Sequence, residues 1–236
     1  MAVSGRKVGT ALLGSGLLAV TLLGGAGGYG LGVWTTPGAA ATNGQATPLS
    51  GLDLPATPSQ SPTRPPREIV PDDSPALRAD ELTYKTRVFT AKMTVQSRVR
   101  VQVPAQWDFT QPDPPKLGRY TDPTKKRWIR IEAGFTIQRP PAESMAIRIG
   151  ELKPIPADQM VKVLHQEVDQ ETHNATLVYT YVPGSSVRYV IVRWVADGTG
   201  NCHLEIGSTG LPQDEEALMA VLDRATETVT RTDEDS

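Results

Sequence analysis

Residues 8–33 carry no charged side chain over 26 consecutive positions, and this run constrains the chain more than any other feature. As a helix it would measure about 39 Å at 1.5 Å per residue, against a hydrocarbon core roughly 30 Å thick. It is long enough to cross a bilayer with some tilt. Arg6 and Lys7 precede it, and no basic residue follows until Arg64. That asymmetry predicts a cytoplasmic n-region at 1–7 and a signal-anchor helix at 8–34, with Trp34 at the outer interface. Everything beyond would then lie outside the cell membrane, as a single-pass protein with its N-terminus in the cytoplasm. A cleaved signal peptide, giving a secreted form, is the competing reading: Ala11 to Leu23 would be its apolar segment and Ala39-Ala40-Ala41 its cleavage site. The run exceeds the 7–15 residues of an ordinary signal-peptide core, and the site lies about 16 residues past Leu23, which favours retention. Both readings require export.

Within the run, Gly24, Gly28 and Gly32 recur at every fourth position, the spacing that lets two membrane helices approach closely. A homodimer through this stripe is one expectation. The other is coincidence, since the run holds nine glycines.

From Thr35 to about Asp80 the composition changes. Nine prolines, from Pro37 to Pro75, are spaced by Ala, Thr, Ser and Gln, with few large apolar residues. Such a segment cannot bury enough surface to offset its ordering entropy, so a disordered linker is predicted at 35–80. In extended polyproline geometry its roughly 45 residues would reach on the order of 140 Å.

The totals exclude some classes. The 24 basic and 26 acidic side chains leave no surplus for a nucleic-acid binder. The one cysteine, Cys202, forms no internal disulfide and lies too deep in the chain to be an N-terminal lipid anchor.

Residues 81–236 are numerous enough to bury a core. Val99, Val101 and Val103 alternate with Arg98, Arg100 and Gln102, predicting a half-buried strand that stops at Pro104. Trp128 to Phe135 predicts another strand. Leu177–Val182, Val187–Ala196 and Cys202–Ser208 predict an antiparallel meander, turned at Pro183-Gly184-Ser185 and Asp197-Gly198-Thr199-Gly200. Met160–Val168 is expected to pair ahead of it, and Tyr84–Met93 is a possible first strand. A helix is predicted from Pro212, with Asp214, Glu215 and Glu216 in its first turn and Leu218, Val221, Leu222, Ala225 and Val229 on one face. Ala142–Leu152 reads as a second helix through Met145, Ile149 and Leu152, although Met145, Ile147 and Ile149 also alternate as a strand would. The expected architecture is α+β: an antiparallel sheet covered by helices.

At this level the chain resembles a known group. Val103-Pro104-Ala105-Gln106-Trp107 looks like the V-P-x-x-W that opens many PsbP-like domains. Arg119-Tyr120-Thr121-Asp122-Pro123, Val192-Arg193-Trp194-Val195 and a closing helix through Ala225-Thr226-Glu227-Thr228-Val229 follow in order. This arrangement, over roughly residues 98–230, is similar to the LpqN-type lipoproteins and type VII secretion-associated proteins of actinobacteria. The resemblance implies a PsbP-like sandwich and no catalytic residues. The lipobox cysteine of the lipoproteins is missing here.

Motifs for chemistry are sparse. Cys202 and His203 are adjacent on a predicted strand, so their side chains point to opposite faces and cannot form a thiolate–imidazole pair. His165, His173 and His203 match no metal-ligand spacing, and there is no phosphate-binding loop or dinucleotide fingerprint. No metal or cofactor is expected. An enzyme would need convergent polar groups in a cleft, which a linear sequence does not show.

Charge is the remaining signal. Residues 85–139 carry 12 basic and 4 acidic side chains, and residues 140–236 carry 7 basic and 16 acidic. Lys125, Lys126, Arg127 and Arg130 cluster beside Trp128. With Trp107 and Tyr120 they define a candidate binding surface for an anionic partner such as a wall polymer, lipid headgroups or an acidic envelope protein. The opposing expectation is that strand pairing mixes the two halves and that the aromatics are core. The function these features support is a non-catalytic, membrane-anchored envelope protein that binds a protein or envelope component. A carrier holding a small apolar ligand between sheet and helix is the alternative.

Overall fold

The alternation at Ser97–Val103 produces the strand it predicts. The strand β2 (Gln96–Pro104) buries Ser97, Val99, Val101 and Val103, while Arg98 and Arg100 face solvent. It pairs antiparallel with β1 (Tyr84–Lys92) on one side and β10 (Thr230–Glu234) on the other. The computed structural model describes residue 65 and residues 67–234. The signal-anchor helix, the stripe of Gly24, Gly28 and Gly32, and most of the Pro-rich linker lie outside the described residues. Among the described residues no helix is long and apolar enough to cross a membrane.

The other described strands are β3 (Asp108–Thr110), β4 (Leu117–Thr121), β5 (Trp128–Glu132), β6 (Lys162–Val168), β7 (Ala175–Tyr181), β8 (Arg188–Ala196) and β9 (Cys202–Gly210). They form a seven-stranded sheet in the order β3-β4-β5-β9-β8-β7-β6, antiparallel at every pairing. The expected meander is β7-β8-β9, with β6 ahead of it. Two helices, α1 (Pro141–Leu152) and α2 (Glu215–Thr228), complete the α+β sandwich. There are two sheets where the sequence predicts one: β1 and β2 pair with each other and with β10, and no pairing joins them to the other seven strands. Thr230-Arg231-Thr232-Asp233-Glu234 has no apolar residue to alternate, so it joins β2 through backbone pairing that periodicity does not register.

One face of the large sheet offers Ile129, Ile131, Ile191, Leu204 and Ile206 to the valines of β2 and to Leu218, Val221, Leu222 and Ala225 of α2. Full burial of a Val or Leu of this kind contributes roughly 1.5–3 kcal/mol. On the opposite face α1 places Met145 and Leu152 against Leu177, Tyr179, Val190, Val192 and Trp194. Burial of Met145, Arg148 and Leu152 has helical spacing, which decides against a strand there. Pro141 starts α1 at no cost because a first-turn N–H has no intrahelical acceptor. At the free edge, β6 is exposed along most of its length, with Val163 and Leu164 40% and 44% accessible. A register shift between Val163 and His165, flanked by Lys162 and Glu167, interrupts the flat edge that would otherwise template another strand.

Residues 67–80 fall within the segment read as linker, and the structure lays them along the domain. Arg67 pairs with Asp158 (3.0 Å) and also donates to the carbonyl of Pro183. The Val70 N–H donates to Ser185 O (2.9 Å), and Lys126 Nζ reaches Asp72 (2.8 Å). Arg127 donates to Pro75 O (2.6 Å), and Leu77 N–H to Asp214 Oδ1 (2.7 Å). This strap is held by polar groups on four separate turns instead of by an apolar stripe, so composition alone reads as free chain.

Candidate functional site

Strand geometry divides the surface expected from the sequence. Trp107 and Tyr120 belong to the core between β2 and the large sheet, and Tyr120 is 1% exposed with its ring 5.0 Å from that of Phe109. Trp128 lies on the opposite face of the sheet, because Tyr120 pairs across to Ile129 and Trp128 pairs with Thr121. Lys125 is exposed in a tight turn with φ 60°. Lys126 is engaged by Asp72 of the strap. Arg127 is buried between Asp122 and Asp214. The basic and acidic halves therefore mix through pairs such as Arg127–Asp214 and Arg130–Glu205. Of the seven residues, Trp128 and Arg130 remain on a common face, where the structure adds Arg119, Arg188 and Tyr181.

That face is built on β9. Gly207 and Thr209 are small, and they sit between large side chains of β5 and β8. Arg130 pairs across from Gly207, and Trp128 from Thr209. A Cβ at Gly207 would lie 2.8 Å from Arg130 Nε, so the missing side chain gives Arg130 room to lie against β9. On β4, Arg119 stands directly opposite Arg130. The guanidinium carbon of Arg119 is 4.4 Å from the centroid of the Trp128 ring, and that of Arg188 is 5.7 Å from the same ring. Arg188 also donates to Lys126 O (3.1 Å). Tyr181 is directly opposite Arg188 on β7. Burial pushes the Tyr181 phenol above its ordinary pKa, with Arg188, Arg130 and Arg119 each pulling against that rise. Three guanidinium groups thus act on one hydroxyl. Arg119, Arg130, Tyr181 and Arg188 all keep partial solvent access.

The charges are graded along this trough. At one end Glu205 accepts from Arg130 (2.6 Å), from Arg148 (3.1 Å) and from the Trp194 indole (2.9 Å). Glu132 stands directly opposite Glu205, and burial followed by the Glu205 charge raises its carboxyl pKa. At the other end stand Arg119, Trp128, Tyr181 and Arg188. Burial, then the charge of Arg130, lowers the pKa of Arg119. Like charges directly opposite on neighbouring strands are destabilising. At the Arg119–Arg130 pairing Glu205 offsets the Arg130 charge (2.6 Å), and an anion on this face would add to that. Guanidinium groups close to an indole suit a multi-oxygen anion through their planar N–H forks.

The remaining candidate reactive groups have other partners. Cys202 is packed with the α1 cluster, its thiol pushed up to about 12 by burial. His203 holds Val195 O through Nδ1 (3.1 Å), and burial and Arg231 lower its pKa. A cleft of about 500 Å³ beside it is lined by residues including Phe135, Asp197, His203, Arg231 and Asp233. Phe135 and Cys202 of its lining also belong to the α1-side cluster, and the sheet–helix interfaces themselves are filled by Met145, Leu152, Leu218 and Leu222. Among the described residues no three His, Cys, Asp or Glu side chains group as metal ligands.

Sequence reasoning missed Arg119, Tyr181 and Arg188 as site residues. Arg119 sits at the middle of the short β4, whose alternation would have given its face, and Tyr181 and Arg188 sit at the ends of strands buried on both faces. Only the β5–β9–β8 register shows that the three strands converge there.

No family model matches the chain, and no curated protein matches it. Two solved structures are similar to it. The Ran-binding protein Mog1p of Saccharomyces cerevisiae is 11% identical, covering 62% of this chain and 96% of its own, with a TM-score of 0.43. LpqN of Mycobacterium tuberculosis, described as involved in cell envelope biogenesis, is 15% identical, covering 65% of this chain and 94% of its own, with a TM-score of 0.36.

Proposed function

We propose that the chain is a non-catalytic protein of the cell envelope, anchored in the membrane by residues 8–34, whose domain holds an anionic partner on the trough of Arg119, Arg130, Arg188, Trp128 and Tyr181. The charge-free N-terminal run and the LpqN-type motifs support the location. The observation that carries the binding role is the direct opposition of Arg119 and Arg130 beside Arg188, which shares the Trp128 ring with Arg119. Like charges directly opposite on neighbouring strands are unfavourable; Glu205 meets Arg130 at 2.6 Å, and an anionic partner would add to that compensation.

The test is crosslinking in intact membranes, followed by recovery of the full-length chain. The wild-type protein is expected to bring down a defined envelope species, and Arg119→Ala with Arg188→Ala to lose it while folding normally. Recovery of the same species by the double variant would remove the trough as the contact surface.

A further inference from the structure

The β1–β2 hairpin holds cations that the rest of the fold leaves unpaired. Residues 82–107 carry five basic side chains, Lys85, Arg87, Lys92, Arg98 and Arg100, and no acidic one. Among the described residues none of the five forms an ion pair. Strand β1 is an edge of the small sheet. Its register against β2 runs unbroken from Tyr84 to Lys92, without the shift that protects β6. Gln102 on β2 shows which backbone groups of β1 point outward. The Gln102 N–H donates to Thr228 Oγ1 (3.0 Å), away from β1, and Gln102 pairs across from Thr86. Thr86 and, by alternation, Val88 and Thr90 therefore turn their N–H and C=O groups away from β2. Farther along, this edge is closed: Gln111 Nε2 donates to Thr90 O (2.7 Å), and the Lys92 N–H donates to Pro115 O (2.9 Å). At Thr86 and Val88 no described residue meets the outward groups, and Val88 is 50% exposed.

We propose that β1 between Tyr84 and Val88 accepts, as an added strand, an extended segment of a partner protein with acidic side chains at alternate positions. Backbone pairing to Thr86 and Val88 supplies the affinity of such strand addition, and side chains select the partner. Lys85 and Arg87 share the inner face of β1 with the buried Phe89, since residues two apart point the same way. Residues directly opposite them on an added strand lie on that face too, so acidic residues there meet two unpaired cations. Basic side chains on an edge also serve to repel other strands, and for that they extend into water. Arg87 departs from that role. Its Nε is buried without a hydrogen-bond partner, and its charge acts on the buried Tyr120 phenol. Phe109 packs on Phe89 (6.0 Å between ring centroids) and stays 43% exposed, which leaves apolar surface beside β1 for an added strand to cover. A second copy of β1 does not fit. Antiparallel pairing about Thr86 would set Lys85 against Arg87 on both sides, and like charges directly opposite are unfavourable. The edge lies on the Tyr120 side of the large sheet, and Trp128 faces the other side. It is therefore a contact separate from the one proposed for the trough.

The experiment uses the full-length chain in a neutral detergent, read by amide hydrogen exchange resolved by NMR. In the free protein the Thr86 and Val88 amides are expected to exchange much faster than those of Arg87 and Phe89, which bond to β2. The probe is an end-capped peptide of alternating Val and Glu, with a peptide of alternating Val and Lys as its control. Saturable binding of the Val-Glu peptide, with protection of the Thr86 and Val88 amides, is expected, and no binding of the Val-Lys peptide. Arg87→Ala should weaken binding about tenfold, the loss of one charge-assisted contact. Lys85→Glu combined with Arg87→Glu should reverse the preference to the Val-Lys peptide. Val88→Pro removes an outward N–H and no bond to β2, so it should fold and lose the peptide. The Arg119→Ala, Arg188→Ala protein should bind the peptide as wild type does; loss there would move the contact to the trough and overturn the edge. No saturable binding of the Val-Glu peptide, binding without amide protection, equal binding of the Val-Lys peptide, or wild-type affinity in Arg87→Ala also overturns it. Protection that grows with protein concentration alone would make a second copy the occupant. Protection by phosphatidylglycerol vesicles and not by peptide would make it a lipid surface. Either result rejects the acidic strand.

Discussion

The carboxylate of Asp214 accepts the Arg127 guanidinium at 2.7 Å from Nε and 2.9 Å from Nη2, and both side chains are almost wholly buried. Asp214 also accepts the backbone N–H groups of Leu77 (2.7 Å) and Leu211 (2.9 Å). One carboxylate therefore joins the strap, the start of β5 and the approach to α2. Asp214→Ala leaves a buried guanidinium with Asp122 as its one acidic partner among the described residues, and the expected loss is about 3–5 kcal/mol. Chemical denaturation of the two proteins measures it. Asp214→Asn, which keeps the shape and one acceptor, should lose less.

Gly118 shows how tightly β4 meets β1. A Cβ there would fall 2.9 Å from two carbons of the Phe89 ring, itself part of the core. Gly118→Ala should cost about 1–3 kcal/mol by overpacking. Gly198→Ala, with no atom within 4 Å of the added carbon, should leave the melting temperature nearly unchanged. Thermal melts of the pair test the contrast.

Cys202 should be inert in the native protein. Burial raises its thiol to about 12 from an ordinary value of 9.0, so the thiolate fraction at pH 8 falls roughly a thousandfold. A thiol reagent added at pH 8 is expected to label Cys202 only after denaturant unfolds the domain. Rapid labelling of the folded protein would contradict the burial.

Two carboxylates should give opposite pH dependences. The Asp72 carboxyl is lowered to about 2, first by the Lys126 ammonium and then by Ser74. The unfolded chain binds that proton more readily, so the stabilisation is full above the ordinary range near 4 and is lost as pH falls towards 2. Lys126→Ala should remove this acid-side loss. Glu132 is raised, by burial first and Glu205 second. Here the native state binds the proton more readily, so stability rises as pH falls through the raised value and levels off below the ordinary 4.5. Glu132→Gln should therefore be more stable than wild type at pH 7, with the difference shrinking on acidification. Denaturation midpoints across pH 2–8 separate the two effects.

Much of the fold is legible in the sequence because its signals are local. The valines of β2 alternate with arginine and glutamine, the meander is punctuated by Gly-containing turns, and α2 carries a stripe at helical spacing after Pro212. These patterns depend on neighbours within a few residues, and they place the strands and helices close to their observed ends. The short β3, the glycine-containing β4 and the wholly polar β10 carry too little pattern to be read.

The candidate site was legible only in part. Trp128 and Arg130 were marked by their cluster, but Lys125, Lys126 and Arg127 beside them go to a turn, to the strap and to a buried pair with Asp214. The arginines that do converge come from β4, β5 and β8.

The sequence by itself determined the charge-free run at 8–33, the Pro-rich composition after it, the alternating strands and the amphipathic α2. Each of these is a property of consecutive residues. Only the tertiary structure decided that Trp128 and Tyr120 face opposite ways, that residues 67–80 lie on the domain, and that Arg119, Arg130 and Arg188 meet across β9. The reason is register: pairing Trp128 with Thr209, and Thr209 with Val190, joins segments far apart in the chain. A slip of one residue would send every one of those side chains to the other face.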